Sequence, residues 1–261
     1  MTTSPKIHPT AVVDPGAHLG QDVSIGPFAL IESGAVLGDG CRVGAHAVIR
    51  RYTRLGARCR VWEHAVLGGE PQDVKFGDYA SYLEIGADNI IREGVTIHRS
   101  SEKDGRTLVG ESNFFMVNCH VAHDCTIGNH VIVANGALLA GYVSVADRAF
   151  ISGNVVIHQF TRVGTLAMVS GLARISQDCL PYIITEGSPA RARALNIIGL
   201  RRAGFSLDQI GALKQAFRVL LRSGLRLPEA LAQLDASGSP PVQELVAFVR
   251  AAKRGFSHGE A

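Results

Sequence analysis

A chain of 261 residues with 46% hydrophobic and 19% charged residues is long enough to bury one or two cores and too apolar to be disordered. Its 26 basic against 23 acidic side chains leave a formal charge of +3, too small to imply nucleic-acid binding. Five cysteines with no CxxC pair point to free thiols in a reducing compartment, and no signal-peptide segment or integral membrane segment is expected, which places the protein in the cytoplasm.

The first element is a repeat. From Ile7 every sixth position to Leu67 is aliphatic, the beat returns at Ile85, Ile91 and Ile97, and it resumes from Val109 through Phe115, Val121 and onward to Ile175. Neither a helix nor an ordinary strand has this period. Small residues such as Ala29, Ala35, Cys41 and Cys59 sit two positions before the aliphatic one, and glycine often follows it, as at Gly20, Gly38, Gly56 and Gly128. This is the grammar of a parallel β-helix of hexapeptide repeats, in which three short strands make one triangular coil of about 18 residues and each coil is buried only by its neighbours. The expected fold is an all-β left-handed parallel β-helix over 1–187, with glycine available for the corners. Two segments, 68–84 and 98–108, lack the beat and are expected to leave the prism as loops that form a pocket or reach a neighbouring subunit.

After Ile175 the pattern changes. CLPYIITEGSPARA reads as a connector, and 188–261 as an α-helical C-terminal domain: NIIGLRRAGF, then LDQIGALKQAFRVLLRSG with Ile210, Leu213, Phe217, Leu220 and Leu221 on one face and Gly224 as its C-cap, then LPEALAQL and VQELVAFVRAAKR. Arg201, Arg202, Lys214, Arg218, Arg222 and Arg226 give this region a basic surface that can receive a phosphate or an acidic protein, or simply be solvated.

The stretch NCHVAHDCTIGNH gathers His120, His123 and Asp124. A step of one coil from His123 reaches Gly141 and then Gln159; from Asp124 it reaches Tyr142 and then Phe160. None of these is at an aliphatic position, so they are expected to stack outside the core. An imidazole can take a proton from a hydroxyl while an adjacent carboxylate fixes its tautomer, which suits general-base chemistry. Metal binding is not expected, because cysteine ligands at productive spacing are missing.

Several segments together carry a resemblance over nearly the whole length: IHPTAVVDPGAHLG, QDVKF, IREGVTIHR, NCHVAHDCTIGNHV, HQFTRVGTLAMVSG and NIIGLRRAGFS. The chain resembles the UDP-N-acetylglucosamine O-acyltransferase family of lipid A biosynthesis. The resemblance implies a homotrimer with sites between adjacent prisms, and acyl transfer from acyl carrier protein to the glucosamine 3-hydroxyl of a UDP-sugar. It implies His123 as general base, Asp124 as its orienting carboxylate and Gly141 as the amide that holds the thioester oxygen. It further implies that His120, His158 and Gln159 lie near the sugar and acyl groups, Asp73 and Lys75 on a sugar-positioning loop, and Asn196 and Arg202 toward the nucleotide. Gly171 matches the end of the acyl groove, where glycine leaves room for a long chain. No cofactor is implied, since the phosphopantetheine arm arrives on the carrier protein; Arg162 and the lower helices are expected to face that partner.

The chain also departs from the family pattern. Tyr142 stands for a histidine, Ile198 for a glutamate, Ala203 for the second arginine of a basic pair, and DYASYLEIG lacks a threonine-arginine pair. These changes fall on the acceptor side and leave open a 3-amino sugar in place of the hydroxyl sugar. A coenzyme A-dependent sugar acetyltransferase is a further alternative on the same scaffold.

Overall fold

In the computed structural model, which describes residues 4–258, the repeat folds into a three-faced prism of parallel strands, most of them two residues long. One face has eleven strands, the second nine and the third eight. Register follows the 18-residue step: on the second face Val121 pairs with Leu139, Leu139 with Ile157 and Ile157 with Ile175. The aliphatic residue of each strand points inward, and Ile31, Ile49, Leu67, Ile97 and Leu139 are wholly buried. Ile7, on the first strand among the described residues, has a neighbouring coil on one side only and stays 45% exposed. The stack therefore supplies the core.

At Gly20, Gly44, Gly56, Gly86 and Gly128 the glycine after the aliphatic residue does not itself adopt a left-handed backbone; the residue two positions later does, and it is not glycine: Asp22, His46, Arg58, Asp88 and His130. The glycine is needed for close approach between coils. A Cβ at Gly56 would lie 2.5 Å from the Ala87 nitrogen and 2.5 Å from the Gly86 carbonyl carbon, both backbone atoms that cannot move aside cheaply. Gly56→Ala is therefore expected to cost about 1–3 kcal/mol through overpacking, read as a lowered thermal midpoint with the helical signal of the C-terminal region retained.

Both loops leave the prism, over shorter spans than 68–84 and 98–108. Strands include Val66–Gly69, Tyr82–Ile85, Thr96–His98 and Arg106–Val109, so the excursions proper are 70–81 and 99–105. Val61 pairs with Ile91 and Ile91 with Phe115, at steps of 30 and 24 positions. Both steps exceed 18 by a multiple of six, which is why the aliphatic beat returns in phase.

The expected boundary at 187/188 is also displaced. Within the supposed connector, Ile183–Glu186 pairs in parallel with Met168–Val169 and antiparallel with Arg191–Leu195, so the first face continues to Leu195. Four helices follow: α1 (Ile197–Arg202), α2 (Leu207–Arg222), α3 (Leu227–Asp235) and α4 (Pro240–Arg250). Ser206 and Gln209 close a capping box on α2, whose C-cap is Ser223; Gly224 comes one residue later with φ 74°. Ile210, Leu213 and Phe217 are buried as expected, joined by Ala216 and Val219, while Leu220 and Leu221 are only partly covered. The SGSPP turn starts α4 rather than preceding it, with the prolines in the first turn, where a missing N–H costs nothing. Leu200, Leu213, Leu231 and Leu245 share one buried cluster with Leu180, Tyr182 and Leu195, which ties the helices to the end of the prism.

Candidate active site

The corner between the second and third faces carries the histidine segment. His120–Val121 belongs to the second face and Thr126–Ile127 to the third, and between them Asp124 takes the left-handed turn at φ 59°. Aspartate tolerates this conformation better than most residues. The turn brings Asp124 back onto its own neighbour: His123 Nδ1 lies 2.7 Å from Asp124 Oδ2, and both side chains are only 8% exposed. A carboxylate can only accept, so Nδ1 carries the proton and Nε2 is left with a free lone pair.

Asp124 has further donors. Ser100 Oγ donates to Oδ1; Ser101 donates to Oδ2 twice, from its amide at 3.0 Å and its hydroxyl at 2.6 Å. Burial pushes the carboxyl up, but the two serine hydroxyls and the His123 ring outweigh it and hold Asp124 below the usual carboxylate range. The backbone is fixed as well, since the Asp124 amide donates to Thr107 Oγ1 at 2.8 Å.

One coil on, Gly141 and Tyr142 stack as the 18-residue step requires. A Cβ on Gly141 would stand 2.6 Å from His123 Cε1 and 2.8 Å from Nε2, so only glycine leaves the ring room. The Ala140 and Tyr142 amides donate to Ile157 and His123 carbonyls, whereas among the described residues no carbonyl accepts from the Gly141 N–H. That amide belongs to a residue that lies against the His123 ring. Tyr142 meets the His123 ring edge-on at 5.5 Å, stacks on Phe160 at 4.7 Å and donates to Glu102 Oε1 at 2.7 Å. The Ser101 hydroxyl pulls the Tyr142 phenol down, but burial and the Glu102 carboxylate prevail and raise it to about 12.

His120 sits beside this pair with Nδ1 2.7 Å from Thr96 Oγ1 and its ring edge-on to His98 at 5.1 Å. Burial, reinforced by His98 and His123, lowers its pKa to about 4. His120 is thus a neutral hydrogen-bonding group near pH 7. His98 is also pushed down by burial, against the Glu70 carbonyl that its Nδ1 meets.

The remaining expected residues divide by location. His158 and Gln159 occupy the same corner one coil further on and are exposed. Asp73 and Lys75 lie on the 70–81 excursion, where Asp73 Oδ1 accepts the Lys75 amide at 2.9 Å. Gly171 is on another corner, between the first and second faces; a Cβ there would meet only the Gly153 oxygen, at 3.4 Å. Asn196 caps α1: it accepts from the Gly199 amide and donates to the Leu166 carbonyl, so its side chain already has structural partners. Arg202, Ile198 and Ala203 border a cavity of about 760 Å³ on the first face, floored by Ile132, Phe150 and Met168. That face lies away from the His123 corner, so one chain carries two separate parts.

Arg162 is not free for a partner. Its guanidinium donates twice to the buried Asp178 carboxylate, at 2.8 and 2.6 Å, and once to the Phe248 carbonyl, joining prism to α4. In the basic helical set, Arg226 pairs with Glu229 and Arg222 donates to the Arg193 carbonyl, while Arg201, Lys214 and Arg218 are exposed. Ser100, Ser101, Glu102, His98 and Thr107 were not anticipated individually; the only signal for them was the lost beat.

Among the described residues no helix is long and apolar enough to cross a membrane, and no three His, Cys, Asp or Glu side chains converge as metal ligands. A family model described as Udp N-acetylglucosamine O-acyltransferase, domain 2, matches residues 178–257, and a bacterial transferase hexapeptide model matches 16–51 and 106–141. The chain is 47% identical over 258 residues to an acyl-(acyl-carrier-protein)–UDP-N-acetylglucosamine O-acyltransferase of Burkholderia orbicola, covering 96% of this chain and 98% of that one. It is 50% identical over 254 residues to the protein of the same description from Alkalilimnicola ehrlichii, with the same coverages. The solved UDP-N-acetylglucosamine acyltransferase of Bacteroides fragilis superposes with a TM-score of 0.94 at 42% identity, covering 95% of this chain and 98% of that one.

Proposed function

The chain belongs to the acyl-carrier-protein-dependent UDP-N-acetylglucosamine O-acyltransferase family, and from that premise we propose how its residues carry the reaction. It is an enzyme that transfers an acyl group from acyl carrier protein to UDP-N-acetylglucosamine in lipid A biosynthesis. The observation that supports the site assignment is the buried His123–Asp124 pair, with the His123 ring packed over Gly141.

In this reading His123 Nε2 takes the proton of the sugar 3-hydroxyl as its oxygen attacks the thioester carbonyl. Asp124 keeps Nδ1 protonated and offsets the charge of the imidazolium. The Gly141 N–H donates to the carbonyl oxygen as it gains negative charge, an interaction stronger in the tetrahedral state than in the thioester and therefore rate-enhancing. Collapse expels the carrier thiolate, which takes its proton from the imidazolium. His120, neutral near pH 7, hydrogen-bonds the substrate; His158 and Gln159 line the same corner, Tyr142 sits over the acceptor, and Asp73 and Lys75 reach the sugar from their excursion.

A homotrimer supports the rest of the reading. The His123 corner of one prism would meet the cavity of the next, where Arg202, and Asn196 through its cap, face the nucleotide end. The apolar floor of that cavity and the space beside Gly171 suit a long 3-hydroxyacyl chain, each buried methylene contributing about 0.8 kcal/mol. Five unpaired, buried cysteines suit a reducing compartment such as the cytoplasm.

The test is carrier thiol release with 3-hydroxyacyl donors of about C10 to C16, offered UDP-N-acetylglucosamine or its 3-amino analogue. Turnover of the hydroxyl sugar, rising toward the longer donors, is expected. Exclusive use of the amino sugar would assign Tyr142, Ile198 and Ala203 to an N-acylating pocket; turnover with acetyl-coenzyme A alone would sink the carrier-dependent reaction.

A further inference from the structure

We propose that the 99–105 excursion is a clamp on the catalytic carboxylate: Ser100 and Ser101 set the basicity of the His123–Asp124 pair, and Glu102, through Tyr142, latches them in place. The inference rests on the reading of His123 as base. It concerns residues that the hexapeptide pattern does not specify, and it assigns Ser100, Ser101 and Glu102 as positioning residues that never touch substrate.

The geometry is specific. Asp124 accepts four hydrogen bonds, one from His123 and three from Ser100 and Ser101. Two of the three come from hydroxyls on an excursion outside the 18-residue register, whose backbone is tied down where the Arg99, Ser100 and Asp104 amides donate to the Gly69, Tyr82 and Ala80 carbonyls. Side-chain contacts hold it as well. Glu102 Oε1 accepts from the Tyr142 hydroxyl at 2.7 Å, Ser81 Oγ donates to the Ser100 carbonyl at 2.6 Å, and the Tyr79 hydroxyl donates to the Ser101 carbonyl. Ser100 is wholly buried and Ser101 is 8% exposed, so water does not replace their hydroxyls while the excursion is closed.

Each donor withdraws charge from the carboxylate. A carboxylate held by His123 alone would bear more charge on Oδ2, bind the imidazolium more tightly and raise the pH below which His123 is protonated and idle. The clamp acts in the opposite sense, keeping the imidazole unprotonated and available to lower pH. The groups facing the pair are His98 and His120 from the second face, Glu102 on the excursion and Tyr142 from the next coil. Both neighbouring imidazoles are pushed down by burial and the phenol is raised to about 12.

The experiment is the pH profile of kcat/KM for carrier-dependent transfer, measured on the wild type, Ser100→Ala/Ser101→Ala, Glu102→Ala and His123→Ala. In the serine double variant the acid limb is expected to move up by about one pH unit, giving roughly tenfold loss on the limb and less than about twofold on the plateau. Glu102→Ala is expected to move it the same way by less. If the double variant does not fold, Ser101→Ala alone is read in its place. A limb that stays put, with a loss equal at every pH or no loss, overturns the clamp provided His123→Ala is inactive; a displaced serine limb with an unmoved Glu102→Ala limb overturns the latch. If His123→Ala still turns over, the base assignment itself fails, and the clamp with it.

Discussion

Replacing His123 with alanine is expected to lower kcat by about 10²–10⁴-fold, the range for removing a positioned general base, while KM for the sugar nucleotide moves little. The imidazole lies outside the aliphatic core, and its ring contacts are with Asp124, Tyr142 and the space over Gly141. Fold and oligomeric state should therefore survive, checked by circular dichroism and by elution volume. Unchanged turnover in a folded His123→Ala protein would remove His123 from the chemistry. The loss arises because the sugar hydroxyl would then attack without a partner for its proton. Asp124→Asn should fall in the same direction, since an amide can present its N–H to Nδ1 and shift the proton to Nε2, the atom that must be free.

The second large effect is expected at Gly141. A methyl group there would overlap the His123 ring at 2.6 and 2.8 Å, and the ring cannot retreat without breaking its 2.7 Å bond to Asp124. Gly141→Ala should therefore cost about 10²-fold or more in kcat, because misplacing the base by about an ångström removes the near-attack geometry. Gly153→Ala is the control: its Cβ would meet only the Asn135 oxygen, at 3.4 Å, and near-wild-type turnover is expected. Steady-state kinetics of the two variants, with thermal midpoints beside them, separate displacement of the base from a general loss of the coil. Equal losses in both would assign the Gly141 effect to the scaffold.

The prism was legible because its rule is arithmetic. One aliphatic residue per six positions survives at Val121, Leu139 and Ile157, and the 18-residue step alone places Gly141 and Tyr142 beside His123 and Asp124. Stepping fails where the chain leaves the coil. Ser100 and Ser101 meet Asp124 across 24 and 23 positions, separations set by the path of an excursion and not by the repeat. Sequence shows that a glycine is needed near the corners without showing why: at Gly56 the reason is the backbone of the next coil. The strands Ile183–Glu186 and Arg191–Leu195 were read as connector because glycine and proline between them suggested a break, whereas they form the turn of a hairpin that closes the first face. Arg162 looked available to a partner in sequence, and only the fold brings Asp178 and Phe248 to it.

The proposed site divides between copies: His123 lies on the corner between the second and third faces, whereas Arg202 borders a cavity on the first. Two inactive variants, His123→Ala and Arg202→Ala, can be co-refolded or co-expressed in equal amounts and assayed for carrier thiol release. If each site takes His123 from one subunit and Arg202 from the next, random mixing in a closed ring restores about one intact site in four, and activity should recover to about a quarter of wild type. Recovery near that fraction is expected. A mixed population no more active than its parents, with hybrid trimers demonstrated, would contradict it and place the whole site within one chain.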